Sequence, residues 1–201
     1  MNLQDLAVKH SILLKGRIKE KDGCFYFKYR GRKLVFLNAF GFEAYPLNEI
    51  FINEVYKKLN VKGKNVIDIG ASIGDSAIYF ALNGAKYVYG YEINPKREYY
   101  SGINLKINRD CYPYIKEIEK IKIVCKEYDG YLPKDAVFKI DCDGCEYSLI
   151  NKHIDKLKRA KEIIIEYHNG YIEIKKKFED IGFDVKILNN KNKIGILYAT
   201  K

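Results

Sequence analysis

From residue 65 onward, short apolar runs alternate with longer stretches of helical periodicity, and this alternation constrains the fold more than any other feature of the chain. Strands are expected at Asn65–Ile69, Tyr87–Tyr91, Ile121–Lys126, Ala136–Asp141 and Glu162–Glu166. Helices are expected between and after them, at Asp75–Asn83, Pro95–Asn108, Glu146–His153 and Tyr171–Ile181. The strands are mostly apolar along their length, as parallel strands covered on both faces must be. Strand–helix alternation of this kind folds as a doubly wound α/β sheet. The last segment differs: Phe183–Leu188 and Lys193–Tyr198 are strand-like runs joined by Asn189-Asn190-Lys191-Asn192, which reads as an antiparallel hairpin. The expected architecture is a seven-stranded, mostly parallel sheet ending in that hairpin.

The preceding segment has another character. Gly23–Tyr29 and Lys33–Leu37 are aromatic and β-branched runs around Arg30-Gly31-Arg32, a β-hairpin signal. A helix is expected over Leu47–Leu59, with Ile50, Phe51, Val55 and Leu59 near one face. The chain therefore divides into a β-hairpin or cap element (1–45) and one main domain (46–201), which suits a length of 201 residues. The aromatics Phe25, Tyr26, Phe27 and Tyr29 either form a second small core or cover one side of a site in the main domain.

Composition narrows the context. No apolar run approaches the ~18 residues of a membrane span, and the charged first twenty residues lack the apolar centre of a signal peptide, so a cytoplasmic protein is expected. The five cysteines are odd in number and irregularly spaced, which favours free thiols. Cys142 and Cys145 form a C-x-x-C without the second ligand pair of a zinc site. The formal net charge of +10 describes either a solvated basic surface or the footprint of an anionic partner such as nucleic acid or a phosphorylated glycan or lipid.

The segment Val66–Gly74 (VIDIGASIG) runs from the first buried strand directly into a helix. Gly70 permits the tight turn, Ser72 is small enough for a ligand to approach the backbone, and Gly74 lets the helix pack closely. The spacing is not that of the dinucleotide fingerprint G-x-G-x-x-G. Asp68, two residues before the first glycine, disfavours a pyrophosphate and suits a ligand with a cationic centre. Glu92, in Tyr89-Gly-Tyr-Glu-Ile-Asn-Pro95, ends the next strand, where an acid accepts hydrogen bonds from both hydroxyls of a ribose, with Ile93 beside it.

In order, VIDIGASIGDSAIYFA, VYGYEINP, FKIDCDGCEYSLI and IIIEYH resemble the FkbM-type branch of the class I methyltransferases, over roughly Asn48 to His168. The glycine loop is shared across the superfamily. The more specific part is Lys139–Glu146, against a family pattern K-I-D-x-E-G-x-E, with Asp143 in place of Glu keeping the charge at shorter reach. The resemblance implies a Rossmann-like class I methyltransferase fold, S-adenosylmethionine as cofactor, and methyl transfer to an oxygen of a sugar or related small molecule. Both cysteines of the C-x-x-C fall at variable positions of the motif.

For such chemistry the cofactor set is Asp68, Gly70, Ala71, Ser72, Gly74, Glu92, Ile93, Glu127, Tyr128 and Asp141, with Glu127 and Tyr128 on the adenine side. Asp141, Glu166 and His168 are the catalytic candidates, at strand ends flanking the crevice, and His168 is the only histidine expected at this edge. The same three residues suit magnesium in principle, but no metal site is assigned. Two other readings compete. One is an RNA (tRNA) methyltransferase, motivated by the net charge but lacking the N-P-P motif such enzymes carry where this chain has Asp141-Cys-Asp143. The other is a cofactor-binding regulatory fold without turnover.

Overall fold

The structure is a computed structural model and describes residues 16–111 and 115–201. Among the described residues ten strands form two sheets. The small sheet has the order β1-β2-β3 and is antiparallel: β1 (Ile18–Lys21), β2 (Cys24–Tyr29) and β3 (Arg32–Leu37). The large sheet has seven strands in the order β6-β5-β4-β7-β8-β10-β9. These are β4 (Asn65–Ile69), β5 (Tyr87–Glu92), β6 (Ile121–Cys125), β7 (Ala136–Ile140), β8 (Glu162–Tyr167), β9 (Asp184–Lys191) and β10 (Ile194–Thr200). β4 through β8 are mutually parallel, whereas β10 runs antiparallel to both β8 and β9. The expected seven-stranded sheet with its terminal hairpin is present.

Burial explains the order. Every residue of β4 (NVIDI) and β7 (AVFKI) is buried, so these strands hold the centre. The chain passes from β4 to β5 on one side and later returns to β7 on the other. This places a topological switch point at the carboxyl end of β4, where open α/β sheets bind ligands. The helices are α1 (Ala44–Leu47), α2 (Asp75–Leu82), α3 (Pro95–Cys111), α4 (Glu146–Leu157) and α5 (Ile172–Asp180). All eight residues of α2 are buried, an all-round burial that requires cover on both sides. The large sheet supplies one side. The small sheet and the segment after it supply the other, through Tyr29 and Phe51, whose rings lie 5.6 and 5.8 Å from that of Tyr79.

Four expectations change. The N-terminal element is a three-stranded sheet, since β1 joins the hairpin through Asp22-Gly23, both at positive φ (50° and 71°) as a tight hairpin turn requires. Its inward aromatics Phe25, Phe27 and Tyr29 do not make a separate core: they belong to one cluster with Leu47, Phe51 and the α2 residues. The helix expected over Leu47–Leu59 stops early: α1 passes into a π-helical turn, Asn48–Ile52, and Glu54 at φ 51° ends it. Tyr29 donates a hydrogen bond to Glu54 Oε1 at 2.8 Å, so tertiary pairing holds the break open. Finally, the C-terminal turn is Asn192-Lys193, with Asn189–Lys191 continuing β9.

Candidate functional site

The site forms at the carboxyl ends of β4, β5, β7 and β8. Gly70 ends β4 at φ 79°, and its N–H and that of Ala71 both donate to the Tyr91 carbonyl, at 2.9 and 3.0 Å. A side chain on Gly70 would lie 1.7 Å from the Asp141 carbonyl oxygen, so the loop is threaded against the neighbouring strand end as well. Ala71 packs over Gly90, where a Cβ would fall 2.9 Å from the alanine methyl. Gly74, at φ 85°, starts α2 close against Ser101 of α3. Glu92 fastens the loop: Oε2 accepts from the Ser72 N–H and Oε1 from the Asn94 N–H, each at 2.8 Å. The carboxylate is thereby oriented at the end of β5, and each oxygen retains acceptor capacity.

Above this joint lies a cavity of about 790 Å³, within the range of small-molecule sites. Gly70, Ser72, Glu92, Ile93, Glu127 and Tyr128 line it together with Tyr45, Glu49, Tyr56, Asp141, Glu166 and His168. Among the residues expected from sequence, Asp68, Ala71 and Gly74 are buried behind the loop and do not line the cavity. Glu127 is largely exposed and pairs with Lys152 at 3.3 Å. Tyr128 is buried, packed edge-on against Tyr91 and His153. His153 also lines the cavity, so His168 is not the only histidine there.

The expectation that Asp68 faces the ligand gives way to a different arrangement. Asp68 and Lys139 are register partners on β4 and β7, both fully buried, with Lys139 Nζ 3.1 Å from Asp68 Oδ1. Lys139 also donates to the Gly70 carbonyl at 2.7 Å and lies 3.7 Å from Asp141 Oδ2. Burial opposes its charge, but Asp68, Asp141 and Asp75 outweigh that and raise its pKa. Ser76 Oγ donates to Asp68 Oδ2 at 2.6 Å. Lys139 thus ties the glycine loop to β7 and neutralises the acid beneath it. The sequence signal was a lysine inside an otherwise apolar strand, which cannot be buried unpaired.

Several acids of the lining lie near Asp141. Tyr56 donates to Asp141 Oδ2 at 2.8 Å, and burial next to Asp141 and Glu166 pushes the Tyr56 phenol up. Glu166 is pushed up to about 8 by burial and by the charges of Asp141 and Glu49. Glu49 is raised for the same reasons, burial and then Asp141, while its hydrogen bond with Tyr45 and the charge of Lys191 work against the rise. His168 Nδ1 lies 2.9 Å from Glu146 Oε1, and this buried carboxylate raises the imidazole pKa against the effect of burial. Asp141, Asp143 and His168 bring their ligand atoms within 4.8 Å of one another, so Asp143, not Glu166, completes the set that could hold a cation.

One further correction concerns the thiols. Cys142 and Cys145 are joined in a disulfide, while Cys24, Cys111 and Cys125 are free. The turn between the pair places Asp143 at φ 54° and Gly144 at φ 107°, which brings the two Cα atoms to 5.4 Å, within bridging distance. Glu146 accepts from the N–H groups of Cys142 and Gly144, each at 3.2 Å, so the same carboxylate that orients His168 holds this turn.

No family model matches the chain. A relative, "Uncharacterized protein 65" of Sulfolobus islandicus filamentous virus (isolate Iceland/Hveragerdi), is 32% identical over 127 residues, spanning 62% of this chain and 73% of its own. "Uncharacterized protein 158B" of Sulfolobus islandicus rod-shaped virus 1 is 31% identical over 114 residues, 57% of this chain and 66% of its own. Among solved structures, M. jannaschii TYW2 in complex with AdoMet superposes with a TM-score of 0.56 at 18% identity, covering 90% of this chain and 87% of that one. A SAM-dependent methyltransferase from Aquifex aeolicus gives 0.54 at 18%, covering 76% and 92%. Magnesium protoporphyrin IX methyltransferase from Synechocystis PCC 6803 with bound SAM gives 0.54 at 17%, covering 78% of each chain. The fold is the Rossmann-like fold of the methyltransferases.

Proposed function

The chain belongs to the family of protein 65 of the Sulfolobus islandicus filamentous virus, and from its site we propose that it is an S-adenosylmethionine-dependent methyltransferase acting on a hydroxyl of a glycan or other small molecule. The observation that carries this reading is Glu92, fixed by two backbone N–H groups beside the glycine loop at the mouth of a cavity of cofactor size. A carboxylate so held suits the two ribose hydroxyls of a nucleoside cofactor. Ile93, Glu127 and Tyr128 also line the cavity, which supports assigning them to the adenine side of the cofactor. Support for the FkbM branch comes from Lys139–Glu146, whose Lys139, Asp141 and Glu146 all have defined partners at the site.

The cofactor supplies a methyl group on a sulfonium, and transfer is an in-line displacement that needs alignment and removal of a proton from the acceptor. Glu166 is assigned to take that proton: it lines the cavity, and burial beside Asp141 and Glu49 pushes it up to about 8, which suits a base. Asp141, held by Tyr56 and near Lys139, orients the acceptor side, and His168, held by Glu146, is a second positioning or proton-accepting group. The intact loop and paired acids support turnover over a purely regulatory fold.

Glu166 works only as the carboxylate, so the rate of methyl transfer should rise with pH and level off above about 8. Glu166→Gln should remove this limb and lower kcat by roughly 10²- to 10⁴-fold with little change in cofactor affinity. The stability sign is opposite. The folded protein holds the Glu166 proton to higher pH than the unfolded chain does, so this residue's contribution to stability falls as pH rises from about 4.5 to about 8. The acceptor class is tested by release of S-adenosylhomocysteine with pools of glycans, lipids and tRNA. Turnover with the tRNA pool alone would replace the hydroxyl reading by the RNA one.

A further inference from the structure

The Cys142–Cys145 bridge joins residues three apart in sequence, and a ring that small removes little chain entropy from the unfolded state. It therefore adds less to global stability than a bridge between distant segments would. What sets it apart is where it lies. It closes the turn between β7 and α4, and both cysteines are half-buried residues of the cavity lining. A reductant entering the cavity meets the bridge directly. Cys24, Cys111 and Cys125 are free, and none of them lines the cavity.

The bridge is also the strongest tie in its turn. The other ties are hydrogen bonds at or beyond the long end of the N–H···O range. Cys142 and Gly144 each donate to Glu146 Oε1 at 3.2 Å, and Cys145 donates to the Cys142 carbonyl at 3.4 Å. Asp143 is held at φ 54°, a left-handed conformation that costs a residue with a Cβ free energy, and its pair with Arg97 at 3.3 Å is solvent-exposed and weak. The site depends on this turn through Glu146. That carboxylate is fully buried, and among the described residues its Oε2 has no hydrogen-bond partner. Oε1 therefore carries its polar contacts: the two turn N–H groups and His168 Nδ1 at 2.9 Å. Opening the turn removes two of those three partners. A buried carboxylate left short of donors is costly, so Glu146 must then shift toward water and His168 loses its orientation.

We propose that Cys142–Cys145 is a thiol–disulfide exchange site for a dithiol reductant, and that its reduction releases the turn and with it the hold of Glu146 on His168. One thiolate of the reductant attacks a bridge sulfur, the S–S bond breaks, and the other cysteine leaves as a thiolate that takes a proton. The second thiol of the reductant then attacks the mixed disulfide. The reductant ends as its own disulfide, and the chain has gained two electrons and two protons as a pair of thiols. Release of the turn does not depend on methyl transfer, whereas its effect on turnover rests on the activity proposed above.

The test begins with iodoacetamide labelling of the full chain. Unfolded without reductant, the parent should label at Cys24, Cys111 and Cys125 only. Treating the folded chain with dithiothreitol beforehand should add Cys142 and Cys145. Hydrogen exchange over residues 141–149, read by mass spectrometry, should then speed up by about tenfold or more on reduction, while exchange in β4 stays unchanged. Cys142→Ser/Cys145→Ser should exchange at the reduced rate with or without dithiothreitol. Release of S-adenosylhomocysteine should fall by about tenfold or more on reduction and return on reoxidation, because groups at the acceptor are no longer aligned. The inference is overturned if all five cysteines label without reductant, or if the bridge resists dithiothreitol until the chain unfolds. It is equally overturned if exchange over 141–149, or measurable turnover, is the same in both redox states. A folded chain that turns over in neither state contradicts the proposed activity, and the exchange result alone then decides the inference.

Discussion

Gly70→Ala should abolish cofactor binding and destabilise the protein by about 3 kcal/mol or more. Two costs combine at this position. Its φ of 79° charges any L-residue with a Cβ about 1–2 kcal/mol. The larger cost is spatial: the new Cβ would fall 1.7 Å from the Asp141 carbonyl oxygen and 2.7 Å from its carbon, backbone atoms that cannot swing aside. Relief requires β4 and β7 to separate at their carboxyl ends, breaking the bond from the Asp141 N–H to the Ile69 carbonyl and the Lys139 contact with the Gly70 carbonyl. Gly144→Ala is the matched control. Its φ is also positive, 107°, but nothing lies within 4 Å of the new methyl, so only a backbone cost of about 1–3 kcal/mol is expected, without the clash. Urea unfolding of the two variants, with calorimetry on each, separates crowding from strain.

Lys139→Met should cost about 3–5 kcal/mol, because it leaves Asp68 buried without its counter-charge. A second substitution identifies the cause. Adding Asp68→Asn should recover most of the loss at neutral pH, since an amide can be buried without a cation and Ser76 Oγ still has an oxygen to donate to. If the double variant is no more stable than the single one, the pairing account of this residue is wrong.

What could be read from the chain follows from the range of the interactions involved. β4 has the expected bounds, Asn65–Ile69, because burial on both faces writes an uninterrupted apolar run and Gly70 ends it. The strand–helix alternation and the terminal hairpin follow from the same short-range signals. Glu92 was legible because its position depends only on the length of one strand–helix–strand unit. β1 was also written in the sequence, as Asp22-Gly23 before a β-branched and aromatic run, though the reading began its hairpin one strand late. The break after Ile52 was not legible, since Glu54 departs from helix to meet Tyr29, a partner 25 residues away. The pairing of Lys139 with Asp68 was hidden for the same reason: β4 and β7 become neighbours only once the sheet order is known. The disulfide was misread because spacing and an odd count describe cysteines on average, whereas the turn through Asp143 and Gly144 decides this pair.

The excess of acids at the cavity was invisible for a related reason. A net charge of +10 says nothing about where the charges stand, and here Glu49, Asp75, Glu92, Glu127, Asp141, Asp143 and Glu166 outnumber the cations Arg97, Lys126, Lys139 and Lys152 in the cavity lining. The placement matters for function. An acceptor entering beside Glu166 and Glu49 meets an environment suited to a neutral hydroxyl.

The most direct test of the central claim is titration calorimetry of the parent chain with S-adenosylmethionine. One equivalent should bind, S-adenosylhomocysteine should compete, and Glu92→Ala should weaken binding by about 100-fold, the loss of two hydrogen bonds to a charged acceptor. Failure of the folded parent to bind either molecule, or equal binding by Glu92→Ala, would contradict the account.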